Sequence, residues 1–242
     1  FSQVIHSVRD LVQVGRERVV IRRGRGSSSG KGAIKQKPYE IHEGGSVLLA
    51  HLPGNPGTGY GFDQRFVRSL VYELAGQGPF LSLFDPTGAA TVRACHGGAE
   101  KSVTAGLSAA ETAVAAKNLS RNGMAFENHR LVDQPALAWL GQSRETFGLI
   151  YINLGRTTYG RGTSWCFDTL RDQRGLLETA ADRLAPQGSI IVSSLVPAFQ
   201  LEPKISASFF CKDLSRTLFP TDLPKTAKHF RCYRIRRKDA SG

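Results

Sequence analysis

The chain has 242 residues, 40% of them hydrophobic, and a formal net charge of +12. That length and apolar content allow one substantial core with a small annex. They exclude a membrane-spanning helix, since no run approaches the roughly 20 apolar residues that one needs, and with no charged-then-apolar segment at the front they predict a soluble protein without a membrane partner. The chain starts at Phe1 rather than Met, as removal of a targeting segment or simple disorder would leave it.

In chain order, an extended pair, "RVVIRR" and "SVLLAHL", precedes a helix expected from about Asp63 to Ala75. Then follow "FLSLF" as a strand, "TGAATVRAC" as a helix, "KSVTAGL" as a strand and "SAAETAVAAKNLSRNG" as a helix. The last has Ser108 as N-cap, Glu111 three residues on to complete a capping box, and a stop at Asn122-Gly123. A short strand "HRLV", a helix "PALAWLGQ", a strand "FGLIYIN", a long helix from Cys166 to Leu184, a turn at Pro186-Gln187-Gly188 and a strand "SIIVSSLV" come next. Strands near "SASFF" and "FRCYRI" close the series. Strands alternating with helices argue for a mostly parallel sheet.

The charge is concentrated at the two ends. Residues 1–40 hold nine Lys/Arg against three Asp/Glu, residues 202–242 hold ten against four, and residues 41–201 hold thirteen of each. Clustered cations on a neutral body suit a phosphate backbone, because counterion release rewards clustering. The arm residues Arg22, Arg23, Arg25, Lys31, Lys35 and Lys37 and the tail residues Arg234, Arg236, Arg237 and Lys238 are the candidate RNA contacts. A solvated basic surface kept for solubility is the plainer alternative.

Candidate chemistry centres on the turn after "FLSLF", where "DPTGAAT" leads into a helix, since ligands of such sheets bind beyond the C-terminal strand ends. No G-x-G-x-x-G is present, which disfavours a dinucleotide site. The four cysteines, Cys95, Cys166, Cys211 and Cys232, show no CxxC or His-x-His pattern, and His42, His51, His96 and His129 show no ligand spacing, so neither disulfides nor a metal is expected. Cys166 has no base beside it in sequence and reads as a buried helix-start residue.

The ordered set of segments resembles the Rossmann-type rRNA methyltransferases of the RlmK/RlmI kind, closest to the RlmK branch, from about Arg18 to Ile235. "TGYGFDQR" is similar to the family's T-G-x-F-x-D-x-R segment at Thr58, Gly59, Asp63 and Arg65. "FLSLFDPTGAATVRACHGGA" is similar to its cofactor loop, with Thr87, Gly88, Gly97, Gly98 and Ala99 matching. "NLSRNG", "LAWL", "FDTLRDQ" and "RLAPQGSIIVSS" follow in order. The resemblance implies an α/β fold: a Rossmann-like class I methyltransferase sheet, mostly parallel with the last strand antiparallel, and a small N-terminal β annex. It divides the chain into a basic arm and hairpin annex over 1–56 and a methyltransferase-like domain over 57–242. S-adenosylmethionine is the cofactor that the family uses.

Three departures fall at functional strand ends. The acid that holds the cofactor ribose in the family is Gly106 here, and the acid that reads the adenine falls at Pro135, with Asp133 two residues earlier as a substitute. The D-P-P corner that faces the target base becomes Asn153-Leu154-Gly155. A charge-assisted hydrogen bond is worth roughly 1.5–3 kcal/mol, so losing the ribose acid alone weakens the cofactor about ten- to a hundredfold. The loop beyond the corner carries Arg156 and Arg161, which suit RNA contacts.

Two readings follow. The first is a catalytically degenerate methyltransferase-like protein, without a catalytic residue or cofactor, serving as an RNA-binding component of a mitochondrial ribosome beside ribosomal RNA and neighbouring ribosomal proteins. Thr58, Asp63, Arg65, Thr87, Gly88, Gly106 and Asp133 would then be remnants of a cofactor site. The second is an active, divergent rRNA base methyltransferase in which Asp133, Asp85 or Asp63 takes over the lost contacts.

Overall fold

One seven-stranded sheet and two small hairpins make up the protein in a computed structural model, which describes residues 38–50, 60–155, 157–159, 166–220, 222 and 229–238. The first hairpin joins β1 (Tyr39–Glu43) to β2 (Ser46–Ala50), and a short 3₁₀ turn at Phe62–Gln64 leads into α1 (Arg65–Leu74). Then come β3 (Phe80–Leu83), α2 (Ala89–His96), β4 (Ser102–Ala105), α3 (Ala109–Arg121), β5 (His129–Val132), α4 (Ala136–Gln142) and β6 (Phe147–Leu154). The second hairpin pairs β7 (Thr157–Tyr159) with β8 (Cys166–Asp168). The remainder is α5 (Thr169–Asp182), β9 (Leu184–Ser194), α6 (Pro203–Ser208), β10 (Phe209–Asp213) and β11 (Arg231–Arg237).

The strand order is β10-β11-β9-β6-β3-β4-β5. β3, β4, β5, β6 and β9 pair in parallel, and β11 runs against both of its neighbours. Strands covered on both faces must be apolar throughout, and β3 and β4 are buried at every residue. On one face Leu81, Leu83, Ile150 and Ile152 meet Leu140 of α4 and Leu176 and Leu177 of α5. On the other, Phe80, Leu149 and Tyr151 meet Val67 and Val71 of α1 and Ala90 and Ala94 of α2. The chain winds from β3 outward to β5, then returns to place β6 on the other side of β3. That reversal opens a crevice at the C-terminal ends of β3 and β6.

The expected capping box of α3 is present: Ser108 N–H donates to Glu111 Oε2 at 2.8 Å, and Glu111 N–H donates back to Ser108 Oγ at 3.4 Å. Four local expectations differ. "RVVIRR" lies outside the described residues, and the partner of β2 is Tyr39–Glu43, joined to it by Gly44 (φ 52°) and Gly45 (φ 82°). Two left-handed residues in a two-residue loop match the twist of a hairpin, and Gly-Gly supplies them without steric penalty. The long helix starts at Thr169 rather than Cys166, because 166–168 pair back onto 157–159. Pro186-Gln187-Gly188 falls within β9 as an irregularity: Leu184 faces Phe147, and pairing resumes only at Ser189 against Leu149. "SASFF" is split, since Pro203 starts a short helix and the strand begins at Phe209.

The first hairpin is fastened to the sheet domain by polar contacts. Leu49 N–H donates to Asn118 Oδ1 at 2.7 Å and Val47 N–H to Asn122 Oδ1 at 2.9 Å. Arg68 of α1 reaches Glu43 of β1 through two hydrogen bonds of 2.6 and 2.7 Å. Among the described residues no helix is long and apolar enough to cross a membrane.

Candidate active site

β3 ends by turning sharply into the crevice. Phe84 takes a left-handed φ of 59°, a conformation that costs a non-glycine residue roughly 1–2 kcal/mol. It is held there by its N–H donating to Ala105 O at 3.2 Å and by its ring packing on Phe167, centroids 5.4 Å apart. The next residue, Asp85, is buried and fully engaged: Oδ2 accepts from Ala90 N–H at 2.8 Å and Oδ1 from the Thr87 hydroxyl at 3.3 Å. It caps the first turn of α2. Burial pushes its carboxyl above the ordinary carboxylate range, against the pull of those donors and of the Arg68 charge.

Thr87 and Gly88 complete the turn. Gly88 N–H donates to Asp85 O at 3.0 Å, and Asn118 of α3 donates to Thr87 O at 2.8 Å. Gly88 is left-handed at φ 63°, and a Cβ there would stand 3.1 Å from both Ala115 and Leu119. The turn is thus pressed against α3 and its backbone is fixed at the crevice.

Gly106 follows β4 at φ 81°, with its N–H donating to Gln134 O at 3.1 Å. A Cβ built on it would meet Ala136 at 3.0 Å and the Phe84 ring at 3.1 Å. The missing ribose acid is therefore a packing feature as well as a lost contact: the position that would carry it is occupied. Asp133, just beyond β5, is exposed, whereas Asp85 is committed to α2 and Asp63 accepts from the Gln64 amide. Of the three acids weighed as substitutes, Asp133 is the one open to solvent.

The corner after β6 is anchored by its carbonyls. Ser194 Oγ donates to Leu154 O at 2.9 Å, and the Thr169 hydroxyl donates to Gly155 O. Asn153 is half-buried and lies opposite Ser193 in the parallel register, Leu154 is buried, and Gly155 is exposed with open space around it. Asn153 thus presents an amide that both donates and accepts where the resemblance predicts a carboxylate.

Gln64 is a residue that the sequence reading passed over. It is 3% exposed, and its Oε1 accepts from Ser193 Oγ at 2.7 Å and from Tyr151 OH at 3.2 Å. Burial raises the Tyr151 phenol well above its ordinary pKa, so it acts as a permanent donor. Through Gln64, the turn that carries Asp63 and Arg65 is bonded to β6 and β9 next to the Asn153 corner. Arg65 itself pairs with Asp222 and reaches Phe62 O at 3.4 Å. The clue in the sequence was a Gln inside a motif otherwise made of Gly, aromatic and charged residues.

Thr58, Arg156, Arg161 and the arm residues Arg22, Arg23, Arg25, Lys31, Lys35 and Lys37 lie outside the described residues. Arg234, Arg236 and Arg237 are on β11 with Lys238 just after it, remote from the crevice. Arg237 donates to Ala181 O at 2.8 Å and Lys238 to Ala207 O. Cys166 stands in β8, not at a helix start.

No protein-family model matches the chain. It is 29% identical over 243 residues to the ribosomal RNA large subunit methyltransferase K/L of Desulfotalea psychrophila, covering 98% of this chain and 34% of that protein. With the enzyme of the same name from Pseudomonas fluorescens it shares 31% over 233 residues (95% and 31%), and with that of Pseudomonas paraeruginosa 32% over 226 residues (92% and 31%). The chain thus spans about a third of the length of these relatives. Among solved structures, SMU.776, described as a methyltransferase and complexed with SAH, superposes with a TM-score of 0.70 at 21% identity, covering 86% of this chain and 57% of that one. A SAM-dependent methyltransferase from Agrobacterium tumefaciens gives 0.64 at 15% identity, covering 86% and 72%.

These likenesses overturn the expectation of a catalytically retired ribosomal component without a cofactor. The curated relatives that match almost the whole chain carry the name of an enzyme, and the superposing structures are described as methyltransferases, one of them with SAH bound. The physical flaw in that expectation was to equate lost acids with a lost site. The strand ends, the fixed turn at Asp85–Gly88 and the anchored corner are all kept, and removing single contacts lowers affinity by powers of ten without removing a crevice. Over about a third of their length, this chain is a homologue of the K/L large-subunit rRNA methyltransferases and carries the Rossmann-like methyltransferase fold.

Proposed function

We propose that the chain is the methyl-transfer module of an S-adenosylmethionine-dependent methyltransferase acting on a base of ribosomal RNA. The observation that carries this reading is the 29–32% identity, along 92–98% of the chain, to proteins of that name. In this reading residues 57–242 form the transfer domain and residues 1–56 an arm and hairpin.

The residues present fit the cofactor with one change of partner. The fixed backbone of Asp85–Gly88 at the start of α2 lies where an adenosyl group approaches in a sheet of this topology. Gly106 offers no side chain, and its slot is closed by Phe84 and Ala136, so the hydroxyls of the ribose must find another acceptor. Asp133, exposed at the end of β5, is that acceptor in this proposal. The cofactor supplies an electrophilic methyl on a sulfonium centre. The role of Asn153 is to orient the target base by hydrogen bonds from its amide, so that the attacking nitrogen or carbon lines up with that methyl.

Isothermal titration with S-adenosylmethionine, paired with transfer of tritiated methyl to unmodified large-subunit rRNA, tests the reading. One binding site and label in RNA are expected. Absence of heat at millimolar cofactor together with unlabelled RNA would sink it.

A further inference from the structure

The edge of the sheet farthest from β5 carries an unusual row of side chains. β10 pairs with β11 so that Phe210 lies opposite Arg236 and Lys212 opposite Arg234. Directly opposed residues, and residues two apart on a strand, share a face. These four therefore form one row on one face of the edge pair. The other face holds Cys211 and Ile235, which pack into the core with α5 and α6. Asp213, opposite Tyr233, belongs to that other face as well.

The row is built for a partner rather than for the fold. Phe210 is 53% exposed, and the Arg236 guanidinium lies over its ring at 5.1 Å from the centroid. Arg234 Nε is buried without a hydrogen-bond partner among the described residues, and burial, then the charge of Arg236, drags the Arg234 pKa down. Among the described residues no carboxylate pairs with Lys212, Arg234, Arg236 or Lys238. Beside the row, the Pro186–Gly188 irregularity of β9 opens a cleft of about 490 Å³ lined by Phe210, Arg236, Arg237 and Lys238. Cations on an edge strand can simply block edge-to-edge pairing. An exposed Phe among them works against that purpose, whereas a base stacks on an aromatic ring or a guanidinium plane while phosphates meet the flanking cations.

We infer that this face of β10–β11 is a docking strip for a single-stranded stretch of RNA, separate from the methyl-transfer crevice. β11 starts at Arg231 beside Ser194, at the crevice end of β9, and runs away from it. At about 3.4 Å per residue, Arg236 lies about 17 Å further down the sheet. RNA held there is gripped outside the target nucleotide, which positions the substrate without touching the reacting atoms. That the polymer is RNA rests on the function proposed above; that a stacked, phosphate-binding strip exists rests on the geometry of the row alone.

Fluorescence anisotropy on the full chain, with a labelled single-stranded RNA of about 15 nucleotides across a salt series, tests it. Phe210→Ala is expected to weaken binding about tenfold with the salt slope unchanged. Lys212→Ala with Arg236→Ala should weaken it at least about tenfold near 100 mM salt and lower the slope by about 1.4. Thermal melts verify folding, and Lys212→Ala alone serves if the double variant melts early. Titration with S-adenosylmethionine runs in parallel: a chain that fails to bind cofactor yet shows these losses refutes the proposed function and upholds the strip. Unchanged affinity in all variants overturns the strip. So does a charge effect with no Phe210 effect, equal on RNA and heparin, which is the mark of a plain basic surface.

Discussion

Asp85 and Glu43 are both acids drawn away from water, yet their surroundings push them in opposite directions. For Asp85 burial dominates, and its folded-state pKa lies above the ordinary 3.8. A raised carboxyl contributes stability that is present below the unfolded pKa and lost as pH rises through the folded one, so at neutral pH its charge is a burden. Asn in its place keeps an acceptor for Ala90 N–H and offers its NH₂ to the Thr87 hydroxyl. Asp85→Asn is expected to raise the Tm at pH 7, with the gain vanishing below about pH 4. For Glu43 burial also pushes upward, but the Arg68 hydrogen bonds and charge, with Tyr60 behind them, outweigh it and hold the pKa below 4.5. Its contribution is full above the unfolded value and disappears as pH falls through the folded one, so Glu43→Gln should destabilise at pH 7 and converge with wild type in acid. Because Arg68 is 3% exposed and would be left uncompensated, the loss at pH 7 should be about 3 kcal/mol. Denaturant melts of both variants across the acid range read both signs. Gly106 is the third telling residue. Restoring the family's acid with Gly106→Asp places a Cβ on Ala136 and Phe84 at a left-handed φ. Strain and overpacking together predict a loss of about 3 kcal/mol, or about 6–12 °C in Tm, with no tighter cofactor binding. A stable variant with improved affinity would show that the slot is open after all.

At the scale of elements, what the sequence made legible were features with local causes. The α3 capping box needs only Ser108 and Glu111 three residues apart, and both bonds are formed. Ser108→Ala should lower stability by about 1 kcal/mol, seen as a Tm drop of about 2–4 °C. The buried strands announced themselves as apolar runs, and their alternation with helices implied the parallel sheet. Features whose cause is distant in sequence were not legible. β1 alternates as Tyr-Glu-Ile-His-Glu, but its register depends on Asn118 and Asn122 of α3, about 70 residues away. β8 depends on pairing with β7 across a segment of Gly, Thr and Arg, and local propensity favoured extending α5 through it instead. The same division holds at the site. The turn at Thr87-Gly88 could be read from its pattern, but Gln64 matters only because folding brings Ser193 and Tyr151 to its amide. That Gly106 is filled by Phe84 and Ala136 is likewise a tertiary fact.

Across the whole molecule, a crevice made of fixed backbone and few charged side chains implies a cofactor held chiefly by the folded shape. Such a ligand binds the native state and not the unfolded chain, so it raises stability by RT ln(1 + [L]/Kd), about 2.7 kcal/mol at a hundredfold excess over Kd. For a chain of this size that corresponds to a Tm increase of about 5–11 °C, and half the excess in logarithmic terms gives about half the shift. The dependence on cofactor concentration therefore yields Kd without any assumption about the RNA substrate. If Asp133 is the acceptor that replaces the missing acid, Asp133→Ala should leave the Tm without cofactor unchanged, because the side chain is exposed. It should also shift the concentration curve about ten- to a hundredfold to higher cofactor, the loss expected for one charge-assisted hydrogen bond. A curve that does not move would assign the ribose to other groups, and a Tm that does not respond to millimolar cofactor in the wild type would refute cofactor binding by the crevice itself.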